Sequence, residues 1–275
     1  MAKAMDMNEK GFETIVSSDG LINRLKSWSK KEYICHYTNA NALNAIIRAR
    51  KWYVGNPFHM NDGLEYDQKN REAWKNIFFV SLVDSGLEEE NIGMWSMYGQ
   101  PWEDGVCILI PRDRFTYWIE SINKGKCLVH KADPATKKEI LDGKDPSSIV
   151  AFSSRVAYYD SEALKLKCGR QENIAIFEYY KDIARLPACT GYIKDIAWEY
   201  EKELRLRIEL SGDHDWEGLL VDIPDEVLGS LIVKTSPRYA GKELEVPGDR
   251  VKKSKFQGKL DWVYCDSCPF KNKDA

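Results

Sequence analysis

Charged and apolar residues alternate along Trp198-Glu199-Tyr200-Glu201-Lys202-Glu203-Leu204-Arg205-Leu206-Arg207. Successive side chains of a strand point to opposite faces, so this period of two predicts a strand with Glu201, Glu203, Arg205 and Arg207 on one face. The flanking Ile196, Ile208 and Leu210 place the strand in a core. Four charges there need partners or a cleft. A solvated face with cross-strand ion pairs fits the same alternation.

Other patterns fill in the chain. Leu21, Leu25 and Trp28 predict a helix within an N-terminal helical extension, 8–30. Tyr33 to Thr38 reads as a strand, and Thr38 or Asn39 caps a helix carrying Leu43, Ile46 and Ile47. Trp52 to Val54 predicts a strand, Asn61-Asp62-Gly63 a turn, and a helix holding Tyr66 and Trp74 follows. Ile77 to Val83 is a buried strand, Glu88 to Glu90 suit a helix start, and Trp95 and Tyr98 share one face of that helix. Gly105 to Ile110 predicts a strand and Phe115 to Ile119 a helix, before a surface excursion from Lys124 to Pro146. Strand patterns recur at Ile149 to Tyr159, Leu219 to Ile223 and Leu231 to Val233, with a helix expected over Asn173 to Ala184.

This order lacks the regular alternation of a doubly wound sheet, and no glycine-rich phosphate loop follows a strand. The expected fold is α+β: a mainly antiparallel split sheet with flanking helices, in a single domain with its core at about 33–235 and a basic C-terminal tail at 250–275.

The 275 residues are 43% hydrophobic and 30% charged, which suits a compact protein. A formal charge of −3 gives no overall attraction to nucleic acid or acidic membrane. The absence of a long apolar run and of an apolar N-terminal signal leads to the expectation of a cytoplasmic protein without a membrane partner. Seven cysteines without a repeating spacing suit reduced thiols. The lone Cys265-x-x-Cys268 has no second pair, so no metal site is expected. No Gly-x-Ser-x-Gly elbow is present.

Candidate chemistry rests on a few residues. Glu201 and Glu203 could bond a sugar hydroxyl and stabilise a reacting group. His36 shares a strand face with Thr38, apart from Cys35 and Tyr37; a lone strand histidine is more often a satisfied structural residue, and a partner site is needed to give it a functional role. Trp95 and Tyr98 could sandwich a planar ring or pack in the core.

Taken in order, His36-Tyr37-Thr38 before a helix, Asn61, Asp62 and Glu65, Trp95, Tyr98 and Gly99, Gly105-Val106-Cys107, Val156 and Tyr158, and Lys194, Trp198, Glu201, Glu203 and Arg205 resemble the bacterial domain of unknown function numbered twenty-nine-seventy-one. That family in turn resembles the ADP-ribosyltransferase fold, through an early strand histidine, a middle aromatic and a late strand glutamate.

The resemblance implies an NAD-dependent mono-ADP-ribosyltransferase, a toxin or defence effector with a nucleic acid or protein acceptor and an antitoxin as a further partner. It implies that His36 holds a ribose of NAD, that Tyr98 stacks on nicotinamide, that Glu203 is the catalytic acid of a Glu-x-Glu pair and that Glu201 orients the acceptor. Tyr37, Thr38, Trp95 and Arg205 would complete the NAD site, and Asn61 and Asp62 would contact substrate. Tyr37, Trp52 and Tyr53 are alternatives for the stacking role. A carboxylate on the 2′-hydroxyl would stabilise the oxocarbenium ion that forms as neutral nicotinamide leaves. The chain departs from the family at Gly63, where a proline is usual, and carries no serine motif of the arginine-modifying enzymes beyond Ser81. An NAD glycohydrolase and a non-enzymatic nucleotide- or partner-binding domain are the competing readings.

Overall fold

The computed structural model describes residues 31–59, 72, 74–140, 146, 148–168, 171–176, 191–212 and 214–259. The expected N-terminal helix, Asn61 and Asp62, Tyr66, Cys265 and Cys268 lie outside them. Fourteen strands and four short helices are described: β1 Tyr33–Asn39, α1 Ala40–Ala49, β2 Lys51–Gly55, β3 Ile77–Ser85, α2 Ile92–Tyr98, β4 Gly105–Pro111, α3 Arg112–Asn123, β5 Val129–Lys131, β6 Ser148–Arg155, β7 Ala157–Asp160, β8 Lys165–Cys168, β9 Gln171–Ile176, β10 Ile193–Asp195, β11 Glu203–Ser211, β12 Gly218–Asp222, α4 Asp225–Leu228, β13 Ile232–Thr235 and β14 Val251–Lys253. Among the described residues no helix is long and apolar enough to cross a membrane.

The fold is α+β and mostly antiparallel. One ten-stranded sheet runs β14-β13-β4-β1-β3-β2-β12-β5, with β11 added to β3 and β6 to β11, and a four-stranded sheet runs β10-β7-β8-β9. Two parallel pairs, β13 with β14 and β10 with β7, interrupt the antiparallel pattern.

The alternation in β11 sorts its side chains as expected. Leu204, Leu206, Ile208 and Leu210 enter the main core beside Phe78, Val80, Phe115 and Trp118. Glu203, Arg205 and Arg207 occupy the opposite face and are also buried. Arg207 lies over the rings of Phe79, Phe152 and Tyr192, and Nε of Arg207 is 2.6 Å from Glu209.

Local signals set the ends of the helices. Asn39 caps α1 by accepting from Ala42 N at 3.0 Å, and Arg50, left-handed at φ 56°, ends it. Asn91 caps α2 by accepting from Gly93 N at 2.8 Å. Glu88 to Glu90 therefore precede that helix rather than forming its first turn. Buried Glu90 instead accepts from Trp95 Nε1, Ser254 Oγ and Lys255 N, which pins the β14 end of the chain against the α2 entrance. Asp84, at the end of β3, pairs with Arg112 of α3 and Arg155 of β6.

Further expectations change. Trp74, expected on a helix, lies in the turn that leads into β3. Residues 196–201 form a 3₁₀ turn, not a strand, because Asp195 Oδ1 accepts from Ala197 N at 2.9 Å and starts a tight turn. Gln171–Ile176 is a strand paired with β8 where a helix was expected; the remainder of that span, from 177, lies outside the described residues. The Lys124 to Pro146 excursion is partly built into the sheet, since β5 pairs with β12 and both Val129 and Ala132 are buried.

Leu206 is fully buried on the core face of β11. Leu206→Ala is expected to lower the unfolding free energy by about 2–5 kcal/mol, read from the urea midpoint. A change under half a kilocalorie would show that this face is not core.

Candidate functional site

The cleft arises from the way β3 is shared. β1 pairs with the end of β3 as far as Cys35 opposite Val83, and β2 joins β3 at Gly55 opposite Phe79. Between these points Val80 to Leu82 carry no ladder partner on that side, while β11 pairs along the other side. The chain crosses the gap through α1. The result is a cleft of about 1130 Å³ with β3 as its floor, α1 and β2 along one wall, and the 134–139 turn at the rim.

His36 stands where β1 leaves β3. Its Nδ1 lies 3.1 Å from the carbonyl of Ser81, so Nδ1 carries the hydrogen and Nε2 of the neutral ring is an acceptor. The ring packs edge-on against Trp52, with centroids 5.3 Å apart. Burial pushes the imidazole pKa down to about 4, opposed by the Ser81 bond and reinforced by the charge of Lys137.

Beside it lie four buried charges, reached through Ser81, whose side chain hydrogen-bonds Glu203. Lys194 Nζ is 2.6 Å from Glu201 Oε2 and 2.9 Å from Glu203 Oε2. Arg205 grips Glu203 in a two-point fork, Nε to Oε1 at 2.5 Å and Nη2 to Oε2 at 3.1 Å. The Tyr98 hydroxyl donates to Glu201 Oε1 at 2.5 Å, and Lys194 sits over Trp198, 5.0 Å from its ring centre. The Glu203 amide donates to the hydroxyl of Tyr158 at 2.8 Å. Burial alone would raise the Glu203 carboxyl, yet Arg205 and Lys194 hold it at about 2, so it is ionised at neutral pH. Burial and the Glu201 carboxylate push Tyr98 well above the usual phenol range, so its hydroxyl remains a donor.

Glu201 reaches this cluster from the 3₁₀ turn and Glu203 from the first residue of β11, with Lys202 left-handed at φ 48° between them. Their convergence was expected from strand alternation; the backbone achieves it by a turn instead. His36, Tyr37, Thr38, Tyr98, Glu201, Glu203 and Arg205 all border the cleft. Trp95 does not. It is fully buried, packs edge-on against Tyr37 at 4.8 Å and spends its indole N–H on Glu90. Tyr37 is itself mostly core, its hydroxyl accepting from Asn91 N at 3.3 Å. Among the aromatics, Tyr37, Trp52, Tyr53, Phe79, Tyr98 and Trp198 line the cleft.

Two features escaped the candidate set. Lys194 carries no distinguishing spacing of its own, although it stands among the residues behind the family resemblance. Lys137 and Lys138 sat in a segment whose lysine, aspartate and glycine content reads as surface.

Residues 94–206 match the model of a family described as protein of unknown function (DUF2971). The match contains Tyr98, Lys194, Glu201, Glu203 and Arg205 and leaves His36 before it. No curated protein and no solved structure matches the chain.

Two outcomes are expected. Lys194→Ala leaves two buried carboxylates short of a counter-charge and lowers stability by about 3–5 kcal/mol in urea unfolding; a loss below 1 kcal/mol would mean that water replaces the ammonium freely. The His36 pKa falls from 6.5 in the free side chain to about 4 in the fold, so the unfolded chain binds more protons between those values. This contribution is complete above pH 6.5 and is lost as pH falls towards 4. His36→Gln should therefore flatten that part of the stability profile, and equal profiles for the two proteins would refute it.

Proposed function

We propose that the protein is an NAD-dependent mono-ADP-ribosyltransferase, a toxin or defence effector acting on a nucleic acid or protein acceptor. The observation that carries this reading is a buried carboxylate, Glu203, forked by Arg205 and bonded by Lys194 so that it is ionised at neutral pH, bordering a largely apolar cleft opened by diverging strands. At about 1130 Å³ the cleft slightly exceeds the few hundred to about 1,000 Å³ usual for small-molecule sites, which leaves room for a dinucleotide.

NAD supplies a ribose–nicotinamide bond whose cleavage develops positive charge on the ribose. The side chains here answer that chemistry in stated ways. Glu203, fixed by the Arg205 fork, presents negative charge that needs no reorientation as the ribose becomes cationic. Neutral His36 offers Nε2 as an acceptor for a ribose hydroxyl. Tyr98 and Lys194 hold Glu201, which lies towards the acceptor side in this assignment. Trp52, Tyr53 and the α1 side chains Ala42, Ala45 and Ile46 exclude water and offer apolar or aromatic surface for the rings.

One observation favours a second reading. Glu201 and Glu203 are matched by Lys194 and Arg205, so the cluster has no net charge left to stabilise a cation. A nucleotide-binding domain without turnover would be built this way.

Purified protein and its Glu203→Gln variant, incubated with NAD alone and with a bacterial lysate, separate these readings through nicotinamide release and ADP-ribose adducts. The proposal expects release with adducts on a lysate component, reduced about 10²- to 10³-fold by the substitution, as when one oriented electrostatic contact is removed. Release without adducts identifies a glycohydrolase. Calorimetric NAD binding without release identifies the binding domain.

A further inference from the structure

We propose that the turn at residues 133–139 is a phosphate-binding rim, which takes the diphosphate of a nucleotide through Lys137 and Lys138. The inference rests on the nucleotide reading of the cleft and adds where the phosphates lie and which residues hold them.

The turn is built to hold a fixed shape. Asp133 Oδ1 accepts from Ala135 N at 2.9 Å, Thr136 N at 2.6 Å and Thr136 Oγ1 at 3.1 Å. The Asp133 carbonyl accepts from Lys137 N at 2.8 Å, and Asp133 N donates to the Lys138 carbonyl at 2.9 Å. Lys137 is held left-handed at φ 53°, a conformation that costs a side-chain-bearing residue energy and recurs where position matters. Glu139 straps the turn to the walls, through Lys51 at 2.5 Å and His130 Nδ1 at 3.0 Å.

These bonds also decide which charges remain. The Asp133 carboxylate is engaged by backbone and hydroxyl hydrogens, and that of Glu139 by Lys51 and His130. The two cations between them, Lys137 and Lys138, both line the cleft. Lys137 Nζ lies 5.4 Å from the ring centre of Tyr53, itself a cleft-lining residue, and its charge acts on His36. The cleft therefore has two electrostatically distinct parts: a neutralised four-charge cluster at Glu203, and a basic rim at the 133–139 turn. A dinucleotide has matching parts, a sugar–base bond and a diphosphate separated from it by a sugar. Lysine ammonium groups engage phosphates as point charges without a required plane, which suits flexible rim side chains.

The test is calorimetric binding of ADP, inorganic pyrophosphate and adenosine to the full chain and to Lys137→Ala, Lys138→Ala and the double variant. The expected result is ADP binding at least about tenfold tighter than adenosine, with the double variant losing about tenfold for ADP and nothing for adenosine, in keeping with the loss of charge-assisted contacts. The preference for ADP should also shrink as salt rises from 50 to 500 mM, because exposed cations are screened. Equal affinity for ADP and adenosine, or a double variant within twofold of wild type for ADP, overturns the rim. If that happens while NAD is still cleaved in a Glu203-dependent manner, the transferase reading stands without it. If ADP binds through the lysines while NAD is never cleaved, the rim stands and the transferase reading falls.

Discussion

The buried ammonium of Lys194, held between Glu201 and Glu203, is the interaction on which the geometry of the site depends. Taking a charge out of water costs several kilocalories per mole unless partners replace the lost hydration. Here the partners come from separate elements: Lys194 from β10, Glu201 from the 3₁₀ turn, Glu203 and Arg205 from β11, and the Tyr98 hydroxyl from α2. Glu203 and Arg205 pair within β11, but the small sheet, the large sheet and a helix must meet at one point for Lys194 and Glu201 to be satisfied. The left-handed Lys202 belongs to the same constraint, since it swings Glu201 back towards Lys194 before β11 begins.

A second constraint makes the cleft. A strand has two hydrogen-bonding edges, and β3 divides one of them between β1 and β2 while giving the other to β11. β1 and β2 lie at opposite ends of α1, so the backbone between them stays unpaired and faces the cleft. The Ser81 carbonyl there finds His36, which couples the histidine's tautomer to the point of divergence. Burial keeps that ring neutral, and the charge of Lys137 acts in the same direction. The split thus sets the acceptor at His36, while Glu203 comes from β11 and Lys137 from the turn formed by Asp133.

Much of this was legible in the sequence, for reasons that differ by element. Leu204, Leu206 and Ile208 alternate with Arg205 and Arg207 because β11 separates a hydrocarbon core from a charged interface, and period two records that directly. The apolar run that opens β3, Ile77 to Val80, is buried on both faces of the strand, and Ser81 interrupts it where β3 reaches the cleft. Residues 196–201 misled because a 3₁₀ turn beginning at Asp195 happens to place acidic residues two apart, as a strand would. Trp95 misled because an aromatic at helical spacing looks the same whether it meets a ligand or Glu90. Lys137 could not be read at all: its meaning depends on the turn formed by Asp133 and on Tyr53, which is 84 residues away in the chain.

On the proposed reading, the opening between β1 and β2 holds a dinucleotide with its sugar–base bond beside Glu203. A crystal structure of the Glu203→Gln variant soaked with NAD tests it most directly. The expected result is density along the β3 floor, with the nicotinamide ribose beside residue 203 and the diphosphate towards the 133–139 turn. A cleft that stays empty at saturating NAD, or a ligand bound elsewhere on the protein, would contradict it.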